Sequence, residues 1–261
     1  MHMRIQLICM AFFYISYSVF AQDAKDIMRK VNFQASPIDE KTDFSMKLID
    51  SKGKIRERTA TQFIKRVNPI MWENSRLIRF HSPAEIAKSA VLILEKKDAD
   101  YQQWIYIPST YSIRRIPSKN RGDRYMGTDF SYEDVYTIDI DKYNFELIGD
   151  KIIDNQNCYK IEQIPKDKKL MSESIYSRIL HYIDKEYFVI LEAEYFDKKD
   201  VMIKRFKATQ IIKTGKYFRP NHIEMEDIRL QHKTTITYGN RILEKGISDH
   251  IFSIQSLERG K

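Results

Sequence analysis

The side chains in this sequence best grouped to do chemistry are Asp129, Glu133 and Asp134, inside the stretch RYMGTDFSYEDVY from Arg124 to Tyr136. Tyr125, Phe130, Tyr132 and Tyr136 are interleaved with them, and Gly127 breaks the run. Carboxylates this close could hold a hard cation through oxygen or work as an acid and base pair. A calcium loop is normally richer in Asp, Asn and Gly than this stretch is. Hydrolysis needs a nucleophile and a base, and the sequence has neither a nucleophile elbow nor a zinc-binding histidine pair. His81, His181, His222, His232 and His250 are scattered, and each is expected on a strand face or turn. Cys158, within CYKIEQ, reads as a small buried apolar residue rather than a thiolate. No catalytic residue, metal or cofactor is therefore expected.

A structural role accounts for the same carboxylates. Ser131 to Asp134 has the cap spacing of a short helix starting after Phe130. Negative charge is favoured at such a start by the helix dipole. Gly127 permits a tight turn just before it. Asp129, Glu133 and Asp134 are thus expected to cap this helix and to pair with basic neighbours, with Arg114 and Arg115 as the candidates.

The elements that must position this corner read mostly as strands. Phe44, Met46 and Leu48 alternate with Ser45 and Lys47, and the same period runs through QQWIYIP, NFELIGD, CYKIEQIP, YSRILHYID, VMIKRFKATQI and KTTITYG. Period two sends successive side chains to opposite faces, so each strand can offer one face to a core. The turns DSKGK, DNQN, IDKEY, FDKKD and KTGKY are short. Such turns join antiparallel neighbours, because a parallel return needs a dozen or more residues. One large antiparallel meander is the expectation. Two helices stand out. DAKDIMRKV places Ala24, Ile27, Met28 and Val31 on one face, and SPAEIAKS offers Ser82 as cap, Pro83 at the first helical position and Glu85 beyond.

The amino terminus carries Arg4, an almost unbroken apolar run from Ile5 to Phe20, and Val19-Phe20-Ala21. That pattern predicts a secretory signal peptide over residues 1–21, cut after Ala21. The run is short of the roughly 20 apolar residues of a membrane span. No cysteine follows the cut to take a lipid, since Gln22 stands there. A single domain is expected over residues 22–261, since no linker or low-complexity segment interrupts it. The chain is basic, with 44 Lys and Arg against 36 Asp and Glu for a net charge of +8. These charges alternate along the sequence instead of clustering, which reads as a solvated surface and not a nucleic-acid groove.

Taken together, LIDSKGKIRERT, RLIRFHSPAEIAKSAVL, QQWIYIPSTYSIRRI, YMGTDFSYEDV, YKIEQIPKD, YIDKEYFVILEAEYFDKKD and HKTTITY resemble the bacterial outer-membrane lipoprotein-sorting family, relatives of the LolA carrier. The motifs follow the family order over most of residues 23 to 258. YMGTDFSYEDV is the most specific of them. The sequence departs from the family around Lys169 to Glu173, where a longer connection is frequent. The resemblance implies a mainly β fold, a strongly curved antiparallel sheet left open as a half-barrel with short helices as plug or lid. It also implies a non-enzymatic, monomeric periplasmic carrier that holds the acyl chains of a lipoprotein or lipid on the way to the outer membrane. An inner-membrane exporter and an outer-membrane acceptor are the implied partners. An exposed methylene costs roughly 0.8 kcal/mol in water, so an acyl chain needs a cavity and not a shallow patch. A periplasmic sensor of lipoproteins or lipids built on the same sheet is the main alternative, and a lipid or glycan hydrolase a weaker one.

On this reading Met126, Phe130 and Tyr132 turn inward or close the mouth of the cavity. Gly127, Thr128, Asp129, Ser131, Glu133 and Asp134 form a docking corner with Arg114 and Arg115. Alternation puts Trp104 and Tyr106 on one face of their strand and Ile105 and Ile107 on the other. The aromatic pair is assigned to the cavity. Processing gives a direct check: amino-terminal sequencing of the exported protein should begin at Gln22, and recovery of intact Met1 in the membrane fraction would contradict the signal-peptide reading.

Overall fold

The computed structural model describes residues 24–68, 73–96 and 101–258. The expected signal peptide and its cleavage after Ala21 lie outside the described residues. Helix α1 covers residues 24–35. The strands that follow are β1 (Asp39–Ile49), β2 (Ile55–Asn68), β3 (Glu73–Ser82), β4 (Ala90–Leu94), β5 (Gln102–Ile107) and β6 (Ser112–Ile116). After a long connection come β7 (Tyr143–Ile153), β8 (Gln156–Pro165), helix α2 (Lys168–Glu173), β9 (Arg178–Asp184) and β10 (Ile190–Phe196). The described residues end with β11 (Met202–Thr214), β12 (Tyr217–Asp227), β13 (His232–Leu243) and helix α3 (Ile254–Glu258).

All the strands of the described residues form one 13-stranded sheet in the order β6-β5-β4-β3-β2-β1-β13-β12-β11-β10-β9-β8-β7, with every neighbouring pair antiparallel. The sheet does not close, which makes it the open half-barrel expected from the resemblance. It is not one continuous meander, however. Strands β1–β6 and β7–β13 are two meanders, zipped together by the pairing of the first strand with the last. That junction has a register shift at Thr42/Phe44, because Arg241 pairs with Thr42 while Tyr238 pairs with Phe44. Gly239 and Asn240 bulge opposite Asp43. A Cβ on Gly239 would lie 3.2 Å from the Asp43 carbonyl oxygen, so the close approach favours glycine there.

The concave face carries the largest core. Phe44, Met46 and Leu48 of β1 join Ile78 and Phe80 of β3, Val91 and Ile93 of β4, and Met225 and Ile236 from the other half. Residues Tyr125, Phe130 and Tyr132 pack on the same core. The connection between β6 and β7 therefore runs across the inside of the sheet from one edge strand to the other. Helix α1 plugs the neighbouring region by burying Ala24, Ile27, Met28 and Val31 against Ile140, Phe145, Ile161 and Ile183.

The convex face is also covered where β3–β5 lie. Leu77, Ala90, Leu92 and Tyr106 bury themselves there against Phe252 and Leu257 of the carboxy-terminal segment, with Trp104 packed alongside. The assignment of Trp104 and Tyr106 to the cavity is thus corrected. It is Ile105 that packs on the concave core. Both faces of these strands are buried, so alternation separates the two faces without saying which is inner.

The SPAEIAKS helix is also corrected. Ser82 ends β3, with its hydroxyl 2.7 Å from that of Thr59. Phe80 N donates to Ser89 O at 2.9 Å, and Lys88 N donates to Phe80 O at 2.8 Å. Those ladder bonds pinch the connection shut and leave room for one turn, in which Ile86 N and Ala87 N share the Pro83 carbonyl.

Leu257 is fully buried and anchors the convex cover. Leu257→Ala should lower the free energy of unfolding by about 2–5 kcal/mol in a denaturant titration. A change within error would mean that α3 is not an integral part of the fold.

Candidate functional site

The crossover folds locally by satisfying its own backbone. Arg124 and Ser131 form an isolated antiparallel bridge, and Tyr125 N donates to Phe130 O at 2.8 Å. Between them Met126 and Gly127 both adopt left-handed backbone, with φ of 50° and 72°. Gly127 meets that demand without steric cost, and Met126 is tied there by an Arg58 guanidinium donating to its carbonyl at 2.6 Å. Thr128 is buried and donates to the Tyr125 carbonyl at 2.6 Å. A single 3-10 turn then covers Tyr132–Val135, with Ser131 as cap. Asp134 closes that cap by accepting from Ser131 N at 2.6 Å, as the sequence spacing predicts.

The other two carboxylates do not cap. Asp129 is buried and accepts from Arg124 Nη2 and from Thr234 Oγ1, both at 2.7 Å, which pins the crossover to β13. Glu133 accepts from Ile175 N at 3.0 Å, just beyond α2. Arg114 and Arg115 stand exposed on edge strand β6 and pair with none of the three. The cations that do pair are Arg124 and Lys204, so the expectation for Arg114 and Arg115 is corrected.

Beneath the crossover lies a cavity of about 300 Å³. One wall consists of the crossover itself, through Phe130, Tyr136 and Ile138, together with Val31 and Ala35 from α1. The sheet supplies the other wall through Ile179, Tyr195, Phe206, Ile223, Met225 and Tyr238. Two side-chain ties hold the roof: Asn32 Nδ2 donates to the Ile138 carbonyl and Gln34 Oε1 accepts from Phe218 N, both at 2.8 Å. Of the five residues assigned to the cavity from sequence, only Phe130 lines it. Met126 and Tyr132 turn inward but pack into the core beside it, and Trp104 and Tyr106 lie on the convex face.

Charged groups near the cavity are closely coupled. Asp134 and Lys204 are almost fully buried and meet at 3.1 Å, and Tyr176 Oη donates to both Asp134 oxygens at 2.9 and 3.0 Å. A buried ion pair with these extra bonds is costly to break from one side, since a lone charge would remain. Burial, and next the Asp134 charge, push the Glu133 carboxyl up to about 7. Burial pushes His181 down to about 4, so the ring stays neutral, with Nε2 2.9 Å from Gln163 Oε1. Cys158 is fully buried, and burial pushes its thiol up to about 11, which keeps it protonated. Among the described residues no three His, Cys, Asp or Glu side chains converge as a metal site. None of the described helices is long and apolar enough to cross a membrane.

Sequence reading missed Tyr176, Lys204, Phe206 and Tyr238, which complete the site. Phe206 and Lys204 do show the right alternation within VMIKRFKATQI. Tyr238 likewise alternates with Ile236 within KTTITYG, but nothing local shows that it meets the cavity, because its partners come from distant strands.

A protein-family model described only as an uncharacterized protein matches residues 73–259. No curated protein matches the sequence. Among solved structures, a DUF1329 family protein from Desulfovibrio piger ATCC 29098 is 25% identical, with a TM-score of 0.85 over 91% of this chain and 99% of that one. An outer membrane lipoprotein-sorting protein domain from Vibrio parahaemolyticus is 23% identical, with a TM-score of 0.84 over 92% of this chain and 100% of that one. A LolA superfamily protein from Nitrosomonas europaea is 17% identical, with a TM-score of 0.70 over 89% of this chain and 98% of that one. The last two likenesses speak to the fold alone.

The Glu133 environment sets a pH dependence. Its carboxyl holds a proton up to about pH 7 in the folded chain, against an ordinary value of 4.5. Across that window the native state binds a proton the unfolded state has lost, so stability falls as pH rises. The full effect is on the order of 3 kcal/mol. Glu133→Gln keeps an acceptor for Ile175 N, and should raise stability at pH 8 while changing it little at pH 5. Urea unfolding at the two values checks this, and an effect independent of pH would mean that Glu133 titrates normally.

Proposed function

Since the chain belongs to the family matched over residues 73–259 and has the LolA-like fold, we propose that it is a periplasmic carrier of an acylated molecule, a lipid or lipoprotein. The observation that carries this reading is the cavity of about 300 Å³, walled by the sheet and roofed by α1 and the crossover. Its volume is at the lower end of small-molecule pockets, enough for part of one acyl chain in the closed form. Its middle is apolar and aromatic, through Phe130, Tyr195, Phe206, Ile223 and Met225.

The energetics favour a carrier over a permanent store. Each buried methylene contributes roughly 0.8 kcal/mol, so a chain is held without any covalent step. Release requires the roof to lift, which would break the hydrogen bonds of Asn32 and Gln34 to the crossover and β12 and expose part of the apolar face of α1. Transfer then runs from a donor at the inner membrane to an acceptor at the outer membrane. No chemistry is assigned to the site. The carboxylates nearest the cavity are engaged in the fold: Asp134 holds Lys204 and Tyr176, and Glu133 accepts from Ile175 N.

Displacement of a fluorescent fatty-acid probe tests the reading. Ile223→Trp, which fills the cavity from β12, should weaken binding by about ten-fold or more. Trp104→Ala, on the convex face, should leave it unchanged. Loss of binding in the Trp104 variant alone would move the ligand to the other face. Absence of binding by the parent protein would remove the carrier function.

A further inference from the structure

The end of the cavity nearest α1 is unlike its apolar middle. Arg76 of β3, Arg219 of β12 and Arg241 of β13 all line it. All three guanidiniums, and the carboxylate of Glu40, lie within electrostatic reach of the Tyr238 hydroxyl on the same wall. Their convergence follows from register. Arg76 lies opposite Ile64, and Ile64 opposite Glu40, so all three stand on one row across β3, β2 and β1. Arg241 reaches this face through the bulge at Gly239 and Asn240. Without that extra residue, Tyr238 and Arg241 would point to opposite sides of β13.

The compensation of these charges is uneven. Glu40 is fully buried and accepts from Arg219 Nη1 at 2.9 Å, with Arg241 Nε at 3.4 Å from its other oxygen. Thr42 Oγ1 donates to that carboxylate at 2.5 Å. Burial opposes the Glu40 charge, yet Arg219, Thr42 and Arg241 outweigh it and hold the carboxyl below its ordinary range. Arg241 also donates to the Pro220 carbonyl at 2.6 Å. Arg76 has no such arrangement. Among the described residues no carboxylate pairs with it within 4 Å, and its buried Nε has no hydrogen-bond partner. The acid it faces is Glu95, whose oxygens are taken by Thr137 N at 2.8 Å and Asn74 N at 3.2 Å, and which burial pushes toward the neutral form. Three guanidiniums against Glu40 and Glu95 leave at least one positive charge uncompensated on a partly desolvated wall. Such an arrangement costs free energy unless an anion completes it.

We propose that the Arg76, Arg219 and Arg241 end of the cavity binds the anionic group, a carboxylate or phosphate, of an amphiphile whose acyl chain lies in the apolar middle. This inference rests on the carrier reading and adds the headgroup class to it. A guanidinium presents donors in a planar fork that suits both anions, and charge-assisted bonds in a desolvated site discriminate against neutral headgroups. Arg219 and Arg241 are held in place by Glu40, and Arg76 supplies the free fork.

The test compares a fluorescent long-chain polyene fatty acid with the alcohol of the same chain, at pH 8, on the processed protein. The parent should bind the acid roughly ten-fold or more tightly than the alcohol. Arg76→Gln leaves the Glu40 pairs intact; it should bind the alcohol as the parent does and lose most of the preference for the acid. Equal binding of acid and alcohol by the parent would overturn the anion site while leaving the carrier reading standing. Binding of neither would overturn both. A preference retained in a folded Arg76→Gln protein would also overturn the assignment. Inorganic phosphate should not displace the acid at concentrations near the probe's own Kd. Displacement there would identify a site for free anions, and would overturn the amphiphile. If Arg76→Gln fails to fold, the acid-to-alcohol ratio of the parent still decides.

Discussion

The structure depends on one topological constraint. Thirteen strands in two meanders put β6 and β7 at opposite edges of a single open sheet, although they are consecutive in sequence. The chain has to return from one edge to the other, and the short way lies across the concave face. A connection there cannot be an ordinary polar loop, because its amides and carbonyls are removed from water. The stretch around Tyr125 to Val135 meets this demand by bonding to itself, through the Arg124 and Ser131 bridge and the Ser131 cap. Its aromatic rings then pack downward onto the sheet. The crossover is thereby both the closing stitch of the fold and the roof of the cavity.

The same constraint explains the buried charges. A crossover that only packed apolar rings on a curved sheet could slide along it. Asp129 on Thr234 of β13 and Asp134 on Lys204 of β11 and on Tyr176 fix it to particular strands of the second half. Ion pairs of this kind add little net stability compared with apolar packing. Their effect is positional, since leaving any one member unpaired in the interior is costly. Glu133 is buried beside the Asp134 charge, and its raised proton affinity follows from those two causes.

Polarity in the cavity is distributed by strand register. Ile179, Tyr195, Phe206, Ile223, Met225 and Tyr238 of β9–β13 line it with aliphatic and aromatic groups, whereas Arg76, Arg219 and Arg241 line it with guanidiniums, Arg76 standing on the row of Glu40. On the proposed reading this row meets the anionic headgroup of the cargo. The bulge at Gly239 is the device that adds Arg241 to it, and the close approach of Asp43 favours glycine there.

Much of this was legible in the sequence. Alternation in β1, β5, β7–β9, β11 and β13, the short antiparallel turns, the buried face of α1 and the Ser131 cap all follow from local periodicity and backbone hydrogen bonding. The inward turn of Met126, Phe130 and Tyr132 came from the family resemblance and not from local periodicity. The partners of the carboxylates were not legible, because Asp134 meets Lys204 across 70 residues and Asp129 meets Thr234 across 105. No local pattern encodes such a separation; it is set by which strands the crossover happens to overlie. Nor could period two decide the orientation of Trp104 and Tyr106. Both faces of β5 are covered, one by the crossover core and the other by Phe252 and Leu257. Sequence alone determined that this chain makes an antiparallel sheet with a capped aromatic corner. Only the tertiary structure decided which face of each strand looks into the cavity, because that depends on what distant segments come to lie against it.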